Sequence, residues 1–223
     1  MKLSLINKYQ PKNLWDFELD TELKILIQTL IQIDNLNILL LGDAGCGKSS
    51  LIKAIINEYY KDSDDKNIAN NILSINSLKE QGISYYRTEV KTFCQTTSSI
   101  INKKKFLILD DIDIINEQSQ QVFRNCIDKY SSNVHFIASC INLQKVIESL
   151  QSRVYILKLQ AFDTPKLTRI MERICANEKI VICKEAKDFI LTISNNSIRI
   201  LINYLEKLKL LDEPIDMEYA QLF

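Results

Sequence analysis

The stretch Gly42-Asp43-Ala44-Gly45-Cys46-Gly47-Lys48-Ser49 decides the fold class, because it satisfies the pattern G-x-x-x-x-G-K-[S/T]. Such a turn needs glycine, since its backbone folds into a nest whose N–H groups face phosphate oxygens and leave no space for side chains. Three of the chain's four glycines lie in this turn. The pattern predicts a phosphate-binding loop (P-loop) in which Lys48 contacts the β- and γ-phosphates and Ser49 binds Mg²⁺.

The flanking sequence supports this interpretation over a chance turn with the same letters. Residues 36–41 form an apolar run typical of a strand buried on both faces of a parallel sheet. Residues 49–58 have the apolar spacing of an amphipathic helix, whose N-terminal dipole would add to an anion site. We therefore expect ATP and Mg²⁺ as cofactors.

A second acidic site is expected where another strand ends. The apolar run 106–109 is followed by Asp110, Asp111 and Asp113. Asp110 would hold the Mg²⁺ shell, as the aspartate of a Walker B motif does, and Asp111 would polarise the attacking water. The alternative is that these acids only end a strand in solvent, and the upstream P-loop argues against it.

The order of patterns predicts an α/β P-loop domain with a mainly parallel five-stranded sheet, followed by a small helical lid domain. About five apolar runs alternate with helical segments up to residue 159, and helices alone follow from residue 160. We thus predict a nucleotide-binding domain at 1–159 and a lid at 160–223. Asp20, Asn116 and Thr164 are expected helix caps, and 59–71 is expected to be a solvated loop.

Composition limits the class of protein. The 28 basic and 28 acidic side chains cancel, so any nucleic-acid contact would depend on a local patch. The six cysteines form no C-x-x-C pair and lack a histidine at metal-ligand spacing, which favours reduced thiols. No signal-peptide pattern or membrane-length apolar segment is present, so we expect a soluble intracellular protein of nucleus or cytoplasm.

Several stretches in order, from about residue 8 to about residue 215, resemble the small subunits of replication factor C and related archaeal clamp loaders of the AAA+ class. The opening run from Lys8 to Phe17 is similar to the family's K-Y-R-P-K-x-L-x-D, and Gln151-Ser152-Arg153 is similar to its Q-S-R-C signature. The other matching stretches are Ile75-Asn76-Ser77, Gly82-Ile83, Arg87 to Phe93, 129–133, 136–140, 145–153, and Ile198-Arg199 with Asn203.

The resemblance implies an AAA+ ATPase whose site is completed by a neighbouring subunit. Arg153 would be the arginine finger acting in trans, and Arg199 the lid sensor of the γ-phosphate. A surface salt bridge is the alternative role for each arginine. Arg87, Lys91 and Lys145 would contact the DNA backbone, whereas the run Lys103 to Lys105 is better explained as a solvated strand start. Further nucleotide contacts are implied for Tyr9, Pro11, Asp43, Ala44, Cys46 and Ser50.

The chain departs from the family pattern at four points. Asp111 replaces a glutamate, which would slow hydrolysis, and Gln10 replaces the opening arginine. Ile141 takes the place of the first-sensor asparagine, so a strand or turn shift would be needed for Asn142 to reach the γ-phosphate. The chain also stops before the family's helical collar, which leaves a compact version, a fragment, or a subunit held by other means.

Three hypotheses remain at this point. The leading one is an ATP-hydrolysing subunit that helps to load a sliding clamp onto primer-template DNA, in a hetero-oligomeric ring with other clamp-loader subunits. The second is a nonenzymatic assembly subunit that binds ATP and supplies Arg153 to a neighbour's site. The third is another AAA+ replication protein, such as an initiator or a helicase loader.

Overall fold

Five parallel strands form the central sheet of the computed structural model, which describes residues 4–63, 68–76, 83–210, 215, 216 and 219. The strands are β1 (Ile38–Leu41), β2 (Ile72–Asn76), β3 (Lys105–Asp110), β4 (Val134–Cys140) and β5 (Tyr155–Lys158). Their order is β2-β3-β4-β1-β5, and every neighbouring pair is parallel. The prediction of an α/β domain with a five-stranded parallel sheet is therefore confirmed.

The middle of the sheet is apolar because helices cover it. Every residue of β4 is buried, as are the first five residues of β3. Each fully buried Leu, Ile or Phe side chain in such a core contributes roughly 1.5–3 kcal/mol through the hydrophobic effect. Because all strands run the same way, Leu41, Asp110 and Cys140 end at one edge of the sheet, where α/β proteins bind their ligands.

Ten α-helical segments connect or follow the strands within the described residues. They are α1 (Leu5–Lys8), α2 (Thr21–Gln32), α3 (Lys48–Tyr59), α4 (Ile83–Tyr85), α5 (Lys91–Gln95), α6 (Glu117–Tyr130), α7 (Glu148–Gln151), α8 (Thr164–Glu178), α9 (Lys184–Ile193) and α10 (Ile198–Lys209). A π-helical turn, Tyr86–Val90, joins α4 to α5. Short 3₁₀ helices occur at Leu14–Asp16, Ala69–Asn71, Ile112–Ile114 and Leu143–Lys145.

The chain divides into two compact units. One unit, the sheet unit, comprises Lys12–Gly42 and Lys48–Leu159. The other, the helical unit, comprises Met1–Pro11, Asp43–Gly47 and Gln160–Phe223. The helical unit has its own apolar core, which includes Leu5, Ile170, Met171, Ile190, Leu201 and Leu205.

Helix caps agree only partly with the sequence predictions. The side chain of Asn116 accepts a hydrogen bond from the Ser119 N–H at 2.9 Å, so the predicted cap of α6 is confirmed. Asp20 occupies the N-cap position of α2 without a side-chain cap bond. The cap of α8 is Asp163 rather than Thr164, because the Asp163 carboxylate accepts from the Lys166 N–H at 2.9 Å.

The predicted solvated loop at 59–71 is wrong at both ends. Tyr59 is the last residue of α3, and both it and Tyr60 are buried under aromatic neighbours. Asn71 is buried as well, where its amide contacts the hydroxyl groups of Ser98 and Ser99. Residues 64–67, together with Ser77 and Gly82 of the family resemblance, lie outside the described residues.

The lysine run from Lys103 to Lys105, the first residue of β3, is not a solvated strand start. Lys103 donates to the Tyr59 carbonyl at 2.8 Å, and Lys104 donates to the Asp34 carbonyl at 2.9 Å. Lys105 is 2% exposed and donates to the Phe93 carbonyl and, at 2.7 Å, to the Thr96 hydroxyl. The expectation failed because three adjacent lysines gave no indication of the carbonyl groups that they meet.

Two further expectations from the sequence concern the state of the cysteines and the presence of membrane-spanning segments. All six cysteines are free thiols, and five of them are buried. Among the described residues, none of the helices combines the length and apolar character that crossing a bilayer would require.

Candidate functional site

The backbone of the turn after β1 has the conformation that its glycines permit. Gly45 and Gly47 have φ values of +80° and +95°, in the left-handed region that side-chain-bearing residues rarely adopt. A Cβ atom at Gly45 would meet the Ser197 hydroxyl, which a rotation of that side chain relieves, so the φ value is what disfavours a side chain at this position. Asp43 and Ala44 are exposed, Cys46 is buried, and Ser50 is half-buried at the start of α3.

Lys48 and Ser49 are the first two residues of α3. Lys48 is only 7% exposed, and its Nζ donates to the Gly42 carbonyl at 2.7 Å. This bond holds the ammonium group against the beginning of the turn. A lysine placed in this way at a helix N-terminus presents positive charge beside backbone N–H groups, which is the composition of an anion site.

Asp110, the last residue of β3, is held by hydroxyl groups on both carboxylate oxygens. Its Oδ2 accepts from Ser49 Oγ at 2.8 Å, and its Oδ1 accepts from Ser139 Oγ at 2.5 Å. Ser139 is fully buried in β4 and also accepts from the Asp111 N–H at 3.0 Å. The carboxylate is thus fixed beside the first turn of α3.

The spacing of Ser49 and Asp110 fits Mg²⁺. Adjacent ligands of an octahedral ion with bonds of 2.0–2.1 Å lie about 2.9 Å apart. The two side-chain oxygens are 2.8 Å apart. Hydroxyl and carboxylate oxygens are also the ligand types that this ion takes in nucleotide sites, where phosphate oxygens and water supply the remainder. These two residues would hold the ion.

Asp111 and Asp113 shape the turns that follow β3 and β4. Asp111 has φ +57°, a left-handed conformation that aspartate tolerates better than most residues. Asp113 Oδ2 accepts from the backbone N–H groups of Ile141 and Asn142 at 3.1 and 2.9 Å. Asp113 therefore ties the predicted first-sensor segment to the end of β3.

The Asn142 side chain is occupied locally. Its Oδ1 accepts from the Gln144 N–H at 2.9 Å and caps the 3₁₀ helix that follows. Ile141 is 50% exposed. The role of Asn142 as first sensor stays a prediction, and in this conformation its carbonyl oxygen serves as a cap.

Arg153 forms the salt bridge that was the alternative to a finger role. Its Nε donates to Asp128 Oδ1 at 2.6 Å, and one terminal nitrogen donates to the Ser149 carbonyl at 2.6 Å. Asp128 lies on α6, which also brings Arg124 within 3.5 Å of it. The role in trans stays a prediction for this residue.

Three of the nucleotide contacts predicted outside the P-loop, Tyr9, Pro11 and Arg199, lie in the helical unit. The side chains of Ser197 and Arg199, at the start of α10, lie beside Gly45 in that unit. Tyr9 and Pro11 follow α1, and the Tyr9 hydroxyl donates to Glu178 at 2.6 Å. The three proposed DNA contacts, Arg87, Lys91 and Lys145, are all exposed in the sheet unit.

Comparison with known families then decides the class. The family described as "ATPase family associated with various cellular activities (AAA)" matches residues 38–159, more than half of the chain. The chain belongs to the AAA family. The P-loop and the Asp110 strand both fall inside the matched range.

Among curated relatives, this AAA chain is similar to replication factor C small subunits, as the sequence resemblance predicted. It is 30% identical over 203 residues to a putative replication factor C small subunit of Acanthamoeba polyphaga mimivirus, covering 91% of the chain and 62% of the relative. It is 28% identical over 214 residues to the replication factor C small subunit of Methanoculleus marisnigri (96% and 65%), and 29% identical over 205 residues to human replication factor C subunit 5 (92% and 59%). The AAA chain thus spans roughly three fifths of the length of these relatives.

Solved structures show the same fold. A Thermotoga maritima RuvB variant matches with a TM-score of 0.73 at 17% identity, covering 96% of this chain and 71% of RuvB. The T. maritima RuvB Holliday junction branch migration motor matches with a TM-score of 0.72 at 16% identity, covering 95% and 70%. The AAA+ fold assigned from sequence is confirmed, including its helical C-terminal region.

Sequence reasoning missed Ser139 as a site residue. The only available indication was a polar residue near the end of a strand that is otherwise buried and mostly apolar. In the sheet register, Ala138 pairs with Leu109, which brings Ser139 next to Asp110. A hydroxyl group at that position orients the carboxylate, and this role becomes visible only once the neighbouring strand is known.

Proposed function

We propose that this AAA chain binds ATP with Mg²⁺ and hydrolyses it as a clamp-loader-type subunit in DNA replication. The proposal of an ATP site is supported mainly by one contact, between Ser49 Oγ and Asp110 Oδ2 at 2.8 Å. Ser49 directly follows Lys48, the buried lysine of the P-loop. A hydroxyl–carboxylate pair in this position suits a metal ion shared with phosphate oxygens.

Each proposed residue has a separate role. The turn Gly42–Ser49 surrounds the phosphates with N–H groups, and Lys48 leaves the Gly42 carbonyl to contact the β- and γ-phosphates. Ser49 and Asp110 hold Mg²⁺, which neutralises charge on the phosphate oxygens when it is bound. Ser139 keeps Asp110 oriented, and Asp111 polarises the water that attacks the γ-phosphorus as the bond to ADP breaks.

The clamp-loader assignment rests on the similarity to replication factor C small subunits over 91–96% of the chain. In this proposal the soluble, intracellular chain joins other subunits in a ring that binds a sliding clamp and primer-template DNA. Arg153 leaves Asp128 and contacts the γ-phosphate of the ATP bound by a neighbouring subunit. Arg199 contacts the γ-phosphate of the ATP bound by its own chain. Arg87, Lys91 and Lys145 contact the DNA backbone, which carries no sequence information.

Two observations favour a second candidate, an ATP-binding assembly subunit without turnover. Asp111 is one methylene shorter than the family's glutamate, and Asn142 caps a 3₁₀ helix while half-exposed Ile141 takes the sensor position. In that case the chain's contribution to catalysis is Arg153, supplied to a partner's site.

Phosphate release from γ-labelled ATP separates the two candidates. The assay uses the complex that co-purifies with the chain from its source cells, with wild-type, Lys48→Ala or Arg153→Ala chain. The proposed function predicts that Lys48→Ala removes a DNA-stimulated fraction of turnover. If Arg153→Ala alone lowers turnover and Lys48→Ala leaves it unchanged, the nonenzymatic candidate is correct.

A further inference from the structure

Cys94 and Cys126 form a pair of neighbouring thiols in the core of the sheet unit. Cys94 lies in α5 and Cys126 in α6, and their side chains are 1% and 8% exposed. The two thiols are close enough to share a hydrogen bond, and both belong to one apolar cluster. The fold thus brings together two sulfur atoms that are far apart in the sequence.

Hydrogen bonds to the backbone hold α5 in place beside this pair. Asn133, shortly after the end of α6, donates from Nδ2 to the carbonyl groups of Cys94 and Thr96, each at 2.8 Å. Lys105 donates to the carbonyl of Phe93, which directly precedes Cys94. The Cys94 backbone is therefore fixed relative to the end of α6, and the two thiols have the lasting proximity that a disulfide bond needs.

The two thiols differ in how readily they ionise. Contact with Cys94, together with the charge of Lys129, lowers the pKa of Cys126, although burial opposes this effect. The same contact, together with burial, raises the pKa of Cys94. In Cys140 and Cys175, burial is the largest influence and raises the pKa of the thiol, to about 11 in Cys140. Cys126 is therefore the member of the pair that forms a thiolate, and Cys94 is its proton donor.

We propose that Cys94 and Cys126 are a redox modification site, at which hydrogen peroxide converts the two thiols reversibly into a disulfide between α5 and α6. The Cys126 thiolate attacks one peroxide oxygen and the O–O bond breaks, which leaves Cys126 as a sulfenic acid. The departing hydroxide takes up the proton that Cys126 released and becomes water.

The second step forms the disulfide. The Cys94 sulfur attacks the Cys126 sulfur, and the hydroxyl group of the sulfenic acid leaves with the Cys94 proton as a second water. Two thiols are thus oxidised to one disulfide while one peroxide is reduced to two waters. The buried ammonium group of Lys105 suits this step, because its charge favours the Cys94 thiolate against the opposing effects of the Cys126 contact and burial.

A packing role alone makes a different prediction for this pair. Cysteine often serves as a small apolar residue in protein cores, where its thiol is inert. In that case Cys94 and Cys126 would react with peroxide only in unfolded chain, as any buried thiol would. Reaction in the folded chain, and the order in which the two thiols react, therefore distinguish the two roles.

The test treats folded, reduced wild-type chain with hydrogen peroxide, blocks the remaining thiols with N-ethylmaleimide and maps the non-reduced tryptic peptides by mass spectrometry. Lysine and arginine residues lie on both sides of each cysteine, so trypsin releases the two on separate peptides. We expect a cross-link between the Cys94 and Cys126 peptides that dithiothreitol removes. Cys175 should be modified at least about tenfold less, and Cys175→Ser is the matched control that should cross-link as wild type.

Single substitutions test the order of the two steps with dimedone, which traps sulfenic acids. In Cys94→Ser, dimedone should label Cys126, because the thiol that completes the disulfide is missing. In Cys126→Ser, Cys94 should remain largely unlabelled, because the thiolate that attacks peroxide is missing. Equal labelling of the two variants overturns the proposed order.

The wild-type peptide map decides the proposal even if a variant does not fold. A cross-link that is absent from folded wild-type chain, or that forms only in urea-unfolded chain, overturns it. None of these measurements uses a nucleotide, so their outcome is independent of the proposed ATP binding.

Discussion

At the scale of single residues, the backbone conformation at Asp111 favours aspartate, whereas the proposed catalytic role favours glutamate. Its φ of +57° suits aspartate, whereas the proposed hydrolysis suits the longer glutamate. The shorter side chain leaves its carboxylate about one methylene from the position that glutamate would reach, and such a displacement can cost on the order of 10²-fold in rate.

We predict that Asp111→Glu raises ATP turnover by about tenfold or more and lowers the free energy of unfolding by about 1 kcal/mol, the typical cost of placing a longer residue in the left-handed region. Steady-state phosphate release and urea denaturation measure the two effects. Asp111→Asn, which keeps the size without the charge, is the control and should show no turnover. Equal rates for all three chains would exclude Asp111 from catalysis.

His135, the chain's only histidine, provides a pH prediction. Its ring is buried, accepts from the Leu36 N–H at 3.3 Å through Nδ1, and faces Asp34 Oδ1 at 3.1 Å through Nε2. Burial, although opposed by the Asp34 charge, lowers the pKa of His135 from 6.5 to about 4. Between these pH values the unfolded chain binds the proton and the folded chain does not, so stability falls as pH drops from 6.5 to 4.

The measurement is proton NMR of the single imidazole. We expect no titration of its resonance between pH 8 and pH 5 in folded protein. The slope of stability against pH between 6.5 and 5 should become smaller in His135→Asn. A folded-state midpoint near 6.5 would contradict the buried, neutral assignment.

Single residues were predictable from sequence where a motif fixes geometry, and not elsewhere. The P-loop pattern specified glycine at the left-handed positions, and it identified Lys48 and Ser49. Ser139 and the contact between Cys94 and Cys126 were not identified, because each depends on a partner that is distant in the chain: Asp110 for Ser139, and Cys126 for Cys94.

At the scale of elements, α6 depends on its N-cap, the residue just before the helix. Asn116 accepts from the Ser119 N–H, one of the donors that a helix start leaves unpaired. We predict that Asn116→Ala lowers the free energy of unfolding by about 1 kcal/mol. Asn116→Ser keeps a capping oxygen and should remain within about 0.5 kcal/mol of wild type in urea denaturation; a loss as large as that of alanine would argue against the cap.

The contact between β3 and α5 depends on a buried lysine. Lys105 donates to the Phe93 carbonyl near the end of α5 and to the Thr96 hydroxyl, and burial lowers its pKa. The Phe93 carbonyl also accepts from the Thr96 hydroxyl at 2.9 Å. Lys105→Met keeps the side-chain length but removes both hydrogen bonds of the buried ammonium group, so we expect a loss of about 1–3 kcal/mol in the free energy of unfolding.

Denaturation of Lys105→Met beside Lys61→Met measures this loss. Lys61 is an exposed lysine that forms a surface ion pair with Glu58, and its change should cost under about 1 kcal/mol. Equal denaturation midpoints for Lys105→Met and Lys61→Met would show that the Lys105 hydrogen bonds do not stabilise the folded protein.

Element types followed from the period of apolar residues, whereas element ends did not. The five strands coincide with the apolar runs because a covered parallel sheet needs them. The start of α8 was placed one residue late, since Asp163 and Thr164 are both good caps and only the observed bond to Lys166 distinguishes them.

At the scale of the whole molecule, the sheet and the C-terminal helices followed from the sequence, but the grouping of residues 1–11 with those helices did not. That grouping depends on Glu178 and Glu206, whose partners lie about 170 and 200 residues away in the chain. Apolar periodicity carries no information about such long-range polar pairs.

The most direct test of the account is an equilibrium titration of purified chain with fluorescent ATP, in the presence of Mg²⁺ and again in EDTA. The account predicts binding that weakens at least tenfold in EDTA and in Ser49→Ala, and that is lost in Lys48→Ala. Binding of equal strength in all of these conditions, or no binding to folded wild-type chain, would contradict it.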